Sequence, residues 1–307
     1  MNTLRARRPS RSPSAQGGFT LVELIVVLIL LSVVVGMTST LTLRPLEAYA
    51  DVRRRTALTD LAEGATRRIS RDIRAALPNS VRISVDGQKL ELIHVLDGAR
   101  YRADGGVNPS TVDHTAATDW LDFTGQETSF NVLGRFQQLN LAYGVGSPAG
   151  YRLAIYPTET TLYADAATAA DPGVITQGAA GVFQLANDGD EDQVQLNAGF
   201  EMRFRLASPR QRLYVVDTPM TYICDVGVGT LVRHWGYAIA AVQPEDPSVN
   251  PLLSGSSARL ANSISACAFS YSTATATHSG LVTIDLAVSS GTEQVRLLQQ
   301  VHVSNAP

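Results

Sequence analysis

The sequence contains little cysteine, little charge, and too little glycine and proline for a fibrous chain. Two cysteines among 307 residues exclude a disulfide-dense small scaffold and a zinc module with four thiolate ligands. With 24 glycines and 14 prolines, the chain is neither collagen-like nor of low complexity. Charged residues make up 17% of the chain, against roughly 25% in an average soluble domain. The net charge of −3 argues against a nucleic-acid-binding protein, which normally has a strongly basic face.

The positive charge is unevenly distributed, because the first 18 residues hold four arginines and no acid. These arginines are Arg5, Arg7, Arg8 and Arg11. Residues 19–307 alone would therefore have a net charge of −7, four lower than the −3 of the whole chain. Residues 19–35 follow, in which only Thr20, Glu23 and Ser32 are polar. As a helix this segment would be about 26 Å long, at the lower limit for crossing a hydrocarbon core.

A basic start before an apolar segment is compatible with three kinds of membrane-targeting sequence. A secretory signal peptide needs a cleavage site of small residues after its apolar region, which residues 39–41 hardly provide. A plain signal anchor leaves Glu23 unexplained, because a carboxylate at the centre of a membrane helix costs about 2.5–3.5 kcal/mol. No Lys, Arg or His lies between Phe19 and Thr42 to pair with it. In either case the four arginines predict a cytoplasmic N-terminus, with the rest of the chain outside the inner membrane.

The third possibility rests on residues 18–24, GFTLVEL, followed by a long aliphatic run. This segment resembles the processing site of type IV pilins and of type II secretion pseudopilins. The resemblance implies that prepilin peptidase cleaves between Gly18 and Phe19 and that Phe19 becomes an N-methylated terminus. It also implies that Glu23 acts in assembly, where it would neutralise the terminal amine of a neighbouring subunit in a low-dielectric bundle. The subunit's own amine remains the alternative partner, since positions i and i+4 share a helix face.

The pattern of residues 46–77 predicts an amphipathic helix that ends before Pro78. Its apolar stripe recurs at steps of three or four residues: Leu58, Leu61, Ala65, Ile69, Ile73 and Leu77. Pro45 predicts a kink or break near residues 41–45. The opposite face carries Arg53, Arg54, Arg55, Arg67, Arg68, Arg71 and Arg74. We interpret these arginines as a solvated face with local ion pairs; the alternative is a charged collar that meets acidic heads of neighbouring subunits.

After residue 78 the apolar period changes to two, which predicts a β-rich head. Residues 81–85 and 90–94 flank an Asp86-Gly87 hairpin turn. Further strand candidates are 120–123, 130–133, 151–156, 183–186, 201–206, 213–216, 222–226, 230–239, 264–272, 281–288 and 294–303, with loops at 164–181 and 244–251. We expect one antiparallel domain, in one or two sheets. Cys224 and Cys267 lie in separate strand candidates, and they form either a disulfide, which would persist outside the cytoplasm, or two separate buried thiols.

The sequence gives no catalytic motif and no strong metal-binding motif. Residues 187–192, NDGDED, alternate carboxylates as calcium loops do, but an EF-hand starting at Asp188 would need Gly at 193 and Glu at 199. Those positions hold Gln193 and Gly199, so we favour an ordinary acidic turn. The five histidines, His94, His114, His234, His278 and His302, show no ligand spacing. Neither GxSxG nor GxxxxGK occurs. We therefore predict no enzyme activity and no cofactor.

The C-terminal half adds a narrower resemblance. Residues 208–225, 230–237, 262–272 and 280–307, together with 76–83, resemble the MshO-type minor pilins of the mannose-sensitive haemagglutinin (MSHA) pilus system. Both cysteines fall in the matching segments, which supports the disulfide.

The family implies an α+β, type IV pilin-like fold: a leader at 1–18, a helix at 19–77 whose first half is hydrophobic, and an antiparallel β-rich head at 78–307. It implies a structural subunit of pilus assembly, with prepilin peptidase and other minor and major pilins as partners. It places the subunit first in the inner membrane, with a periplasmic head, and then in the pilus; a type II secretion pseudopilin and a signal-anchored periplasmic ligand-binding or sensor protein are the alternatives.

Overall fold

The computed structural model describes residues 18–107, 113–157, 161–272 and 280–303. The chain divides into two compact units, Met1–Arg53 and Arg54–Pro307. Helix α1 (Leu21–Arg74) begins in the first unit and ends in the second. Its backbone stays helical through residues 41–45, so the chain has no break there, and a bend at Pro45 stays a prediction. The arginines of the leader lie outside the described residues.

Helix α1 ends at Arg74, three residues before the predicted end at Leu77. The reason is that a strand competes for the backbone of the last predicted turn. Ala76 forms a β-bridge with His94, and the N–H of Leu77 donates to the carbonyl of Ile93 at 2.8 Å. Once these groups pair with the sheet, they are no longer available for the helical ladder.

The second unit is rich in strands and contains one further, short α-helix in its described part. Its elements are β1 (Arg82–Ile83), β2 (Lys89–Arg100), β3 (Gly106–Val107), β4 (Asp113–His114), β5 (Ser129–Val132), β6 (Arg152–Ile155), α2 (Leu162–Thr168), β7 (Phe183–Asp188), β8 (Glu191–Leu196), β9 (Arg212–Asp225), β10 (Thr230–Trp235), a 3₁₀ turn (Leu252–Ser254), β11 (Ser256–Ala261), β12 (Ile264–Ser272), β13 (Gly280–Ser290) and β14 (Glu293–Val303). This confirms the predicted α+β class, an apolar N-terminal helix and a β-rich head.

The strands form four sheets within the described residues, more than the one or two that we expected. The largest has the order β1-β2-β9-β10-β11, with β6 also paired to β9. The other three are β12-β13-β14, β5-β8-β7 and β3-β4. Neighbouring strands in all four sheets are antiparallel. The hairpin predicted at Asp86-Gly87 is confirmed, since Ile83 pairs with Leu90 across it.

Strand β9 joins two segments that the sequence had separated, 213–216 and 222–226. Pro219 lies between them and has no N–H to donate. On one edge of β9, β6 pairs with residues 213–216 and β10 pairs with residues 220–225. Pro219 falls in the gap between these two partners. A proline is tolerated there because that edge needs no ladder hydrogen bond at this position.

Two predicted strands are wrong, and several elements were missed. Residues 120–123 and 201–206 form no strand. In the second segment, Met202 and Phe204 are buried but make only isolated β-bridges. The alternation of apolar and polar residues there reflects burial of alternate side chains and not pairing in a β-ladder. Strands β3, β4, β8 and β11 were not predicted. Helix α2 occupies part of the predicted loop at 164–181, while 244–251 is a loop as expected.

The second part of α1 packs into the main core of the head. Leu58, Ala65, Ile69 and Ile73 belong to one buried cluster with side chains of β2, β9, β12, β13 and β14, and Leu61 packs against it. The predicted apolar stripe is therefore confirmed over these positions. Leu77, its last member, is also buried but joins a different cluster that contains α2.

A buried ion pair fixes α1 on the large sheet. Asp72 is 4% exposed, and its carboxylate accepts hydrogen bonds from the Tyr222 hydroxyl and from Nε of Arg233, the latter at 2.8 Å. Burial first, and then the charge of Asp72, raises the pKa of Tyr222 above its ordinary value. The hydroxyl therefore remains protonated and donates. Arg68 lies 3.4 Å from the same carboxylate.

We expect Asp72→Ala to destabilise the head by about 3–5 kcal/mol, because it leaves the buried Arg233 guanidinium without its counter-charge. Urea unfolding followed by tryptophan fluorescence measures this, since both tryptophans, Trp120 and Trp235, lie in the second unit. Asp60→Ala removes an exposed carboxylate from the same helix and should change stability by less than about 0.5 kcal/mol. Equal losses in the two variants would contradict the role assigned to Asp72.

Cys224 and Cys267 form a disulfide between two sheets. Cys224 lies in β9 and Cys267 in β12, and their Cα atoms are 6.4 Å apart, within the range that a disulfide allows. Both side chains contact the main core cluster. The bond therefore joins the large sheet to the three-stranded sheet β12-β13-β14.

The double variant C224S/C267S should lower the free energy of unfolding by about 3–4 kcal/mol, since the bond closes a 43-residue separation. The same urea experiment on oxidised and on reduced wild-type protein provides the control. Reduction should produce a loss of similar size. No change in the midpoint of unfolding on reduction would show that the bond does not restrain the unfolded chain.

Candidate functional site

The Gly18–Phe19 junction lies at the very start of the described structure, before the first turn of α1. Gly18, Phe19 and Thr20 are non-helical and exposed, and the Phe19 side chain is 78% exposed. A Cβ built on Gly18 would meet no atom within 4 Å, and its backbone is not left-handed. The fold therefore does not require glycine at this position. Any requirement for glycine at this position would have to come from another molecule that recognises the Gly18–Phe19 junction.

Thr20 starts the helix and places Glu23 in its first turn. The N–H of Glu23 donates to the Thr20 hydroxyl at 3.3 Å, and the N–H of Leu24 donates to the Thr20 carbonyl at 3.2 Å. Thr20 is thus the N-cap. An acid in the first turn is favoured by the positive end of the helix dipole. Cleavage after Gly18 would create a cationic amine at Phe19, four residues before the carboxylate of Glu23.

The segment that follows is exposed along its whole length. Leu21–Thr38 is apolar and long enough to cross a membrane, and no part of it is buried. Its hydroxyls bond to the helix itself: Ser32 donates to the carbonyl of Ile29 at 2.8 Å and Thr38 to that of Val34 at 2.6 Å. Within the described residues, Glu23 is the only charged side chain of this span, and no cation contacts its carboxylate. The segment needs an apolar surrounding, and Glu23 needs a partner in that surrounding.

Two of the arginines predicted on the far face of α1 make local contacts on the exposed surface. Arg67 pairs with Glu63 at 2.8 Å on the exposed surface, and Arg53 lies over the ring of Tyr49 at 5.4 Å. Such exposed pairs contribute little to stability. These contacts agree with the solvated-face interpretation. Arg68 is the exception, because it reaches the buried Asp72.

The acidic segment 187–192 is the tip of the β7–β8 hairpin, as an ordinary acidic turn would be. Its carboxylates serve the fold: Asp188 accepts from the side-chain amide of Asn131 at 2.7 Å, and Glu191 pairs with Arg102. In the described ranges, no group of three or more His, Cys, Asp or Glu side chains is arranged to hold a metal ion.

Of the four described histidines, two contact carboxylates, one is buried in a strand and one is exposed. His94 contacts Asp217 at 2.9 Å, and the buried His114 contacts Asp188 at 3.1 Å. His234 is buried in β10, and burial lowers its pKa. His302 is exposed on β14, and His278 lies outside the described residues.

The sequence did not predict the cluster of Asp72 with Tyr222 and Arg233. Nothing in the residue pattern of α1 distinguishes Asp72 from the exposed acids of the same helix.

The comparisons with known proteins support the N-terminal assignment. Residues 13–39 match the family model described as the prokaryotic N-terminal methylation motif, which covers the Gly18–Phe19 junction, Glu23 and the apolar segment. No curated protein and no solved structure matches the chain. The motif supports a type IV pilin or pseudopilin that is anchored in the membrane by its N-terminal helix. It implies processing by a prepilin peptidase and assembly with other pilins.

Proposed function

We propose that the protein is a minor pilin of a type IV pilus of the MSHA type, and that it acts in the initiation of pilus assembly or at the fibre tip. One observation carries the proposal: the methylation motif includes an uncovered apolar span, Leu21–Thr38, whose single charged side chain, Glu23, has no cationic partner within the described residues. The narrower choice of the MSHA system is supported by the resemblance of the C-terminal half to MshO-type minor pilins.

In this proposal the chain has a structural role and no catalytic one. Prepilin peptidase removes residues 1–18 on the cytoplasmic side, and Phe19 becomes the methylated terminus. The helix then holds the subunit in the inner membrane, with the head in the periplasm, until the subunit enters the fibre. There Glu23 neutralises the terminal amine of a neighbouring subunit. His94 and His114 each contact a carboxylate, and these contacts support a structural role for both side chains.

Affinity purification of the full chain from detergent-solubilised membranes of its own host tests this function. Major and minor pilins of one type IV pilus should co-purify, and deletion of the gene should reduce piliation. Co-purification of type II secretion components, with normal piliation in the deletion strain, would instead establish the pseudopilin alternative, which the methylation motif supports equally. Recovery without any pilin-like protein would favour the signal-anchored ligand-binding or sensor alternative.

A further inference from the structure

An arginine-lined cleft of about 390 Å³ lies on the head where β2, β9 and the segment after β5 meet. Arg100 comes from β2, Arg212 from β9 and Arg135 from the segment after β5. None of the described side chains that line it is a carboxylate. The cleft thus gathers three positive charges on a head that carries the acid excess of the mature chain.

Backbone pairing accounts for the close approach of these arginines. Arg100 is directly opposite Arg212 in the β2–β9 ladder, so their Cβ atoms are about 4.5–5.5 Å apart. Like charges in such a position destabilise a sheet. The N–H of Leu133 donates to the carbonyl of Arg100 at 2.7 Å, and this contact brings Arg135 to the same place.

The contacts of Arg100 and Arg135 are with neutral groups. Arg100 donates to the side-chain carbonyl of Gln211 at 2.9 Å. Arg135 donates to the Tyr143 hydroxyl at 2.7 Å, to the side-chain oxygen of Asn187 at 3.0 Å and to the carbonyl of Gly189 at 2.8 Å. These contacts orient the two guanidinium groups without neutralising them.

The nearby acid Asp97 does not neutralise the cleft. It is buried, and its carboxylate accepts hydrogen bonds from the backbone N–H groups of Gly98, Gln138 and Leu139 at 2.6–2.9 Å. Its charge is therefore stabilised by backbone N–H groups, two of which belong to the loop that follows Arg135. Asp192 accepts a hydrogen bond from the Tyr143 hydroxyl that Arg135 also contacts, but Asp192 is buried and is not among the described residues that line the cleft.

One wall of the cleft is aromatic. Gly98 lies opposite Tyr214 in the β2–β9 ladder. A Cβ at Gly98 would contact the Tyr214 ring at 3.6 Å, so a larger side chain at this position would narrow the cleft beside the ring. The volume is much larger than a lone sulfate or phosphate ion needs, and the arginines make the cleft unsuitable for a wholly apolar ligand.

We propose that this cleft binds the oxyanion group of a hydrophilic ligand of monosaccharide size, a carboxylate or sulfate carried on a sugar ring. Arg100 and Arg135 hold the oxyanion, since planar guanidinium groups match carboxylate and sulfate oxygens. The ring of the sugar occupies the part of the cleft that Gly98 and Tyr214 border. The proposal concerns the head alone and does not depend on the type of fibre that the subunit joins.

Ligand-observed NMR on the full chain in detergent tests the site, with D-glucuronate and D-glucose as probes that differ in one carboxylate. Galactose 6-sulfate serves as the sulfate-bearing probe. The wild-type protein should bind glucuronate, galactose 6-sulfate or both, with a dissociation constant on the order of 1 mM, and should not bind glucose. Arg100→Gln and Arg135→Gln should each weaken binding about tenfold.

Two further variants distinguish binding at this cleft from a general attraction of anions to the positive charge of the head. Gly98→Val changes no charge but narrows the cleft beside Tyr214, and it should weaken binding about tenfold or more. Arg210→Gln removes an exposed arginine, two residues from Arg212, that does not line the cleft, and it should change binding less than about twofold. Equal binding of glucose and the anionic probes would overturn the proposal. So would equal weakening by Arg210→Gln and Arg100→Gln, or the absence of saturable binding by either anionic probe.

Discussion

Replacing Glu23 with alanine should reduce incorporation of the subunit into a fibre by tenfold or more, while leaving processing and membrane insertion intact. The carboxylate lies in the first turn of an otherwise uncharged span, where a subunit interface would exclude water. Removing it leaves the terminal amine of the neighbour without a counter-charge. A loss of about 1.4 kcal/mol already corresponds to a factor of ten in an equilibrium constant, and an unpaired charge in an apolar interior costs more.

Immunoblotting of sheared fibres against membrane fractions measures the effect of Glu23→Ala. Glu23→Asp keeps the charge and should retain part of the incorporation. Ser32→Ala is the matched control, since this hydroxyl bonds only to its own helix at Ile29 and its loss should have little effect. Wild-type incorporation of Glu23→Ala would rule out the charge-pairing role.

Replacing Gly18 with valine should leave the leader attached and trap the precursor in the inner membrane. The structure makes this a clean test, because a Cβ at Gly18 meets no atom within 4 Å. Folding of the head should therefore be unchanged, and the effect should fall on recognition by the peptidase alone.

Gly125→Val provides the matched control for Gly18→Val. Gly125 is exposed, has open space around its Cα and lies outside the left-handed region, so the same substitution there should leave processing normal. Electrophoretic mobility separates precursor from mature chain. Normal cleavage of Gly18→Val would show that the cut lies elsewhere.

The sequence predicts well those features that depend on local pattern. The apolar stripe of α1 and the Asp86-Gly87 hairpin are set by residues close together in the chain, and both are confirmed. The resemblance to type IV pilins and pseudopilins rests on the short segment around Gly18 and Glu23, and the methylation motif supports it. These features need no knowledge of distant partners.

Features that depend on long-range pairing could not be predicted. The end of α1 moves to Arg74 because β2 captures the backbone of Ala76 and Leu77. Strand β9 runs through Pro219 because its two partners on that edge leave a gap there. The alternation at residues 201–206 reports buried side chains, and only the fold shows that no ladder forms.

The same limit applies to the functional residues. Asp72 looks like any other acid of the amphipathic helix until Tyr222 and Arg233 are placed against it. The cleft is lined by Arg100, Arg135 and Arg212, which come from three separate segments. No local spacing of residues could therefore predict it. By contrast, Gly18, Phe19 and Glu23 remain predictions from sequence, since their partners belong to other molecules.

Mass spectrometry of the intact protein, isolated from its own host, tests the assigned processing site. We expect a mature chain that begins at Phe19 and carries one methyl group on its terminal nitrogen, with residues 1–18 absent. An intact leader, or an N-terminus beyond residue 35, would contradict it.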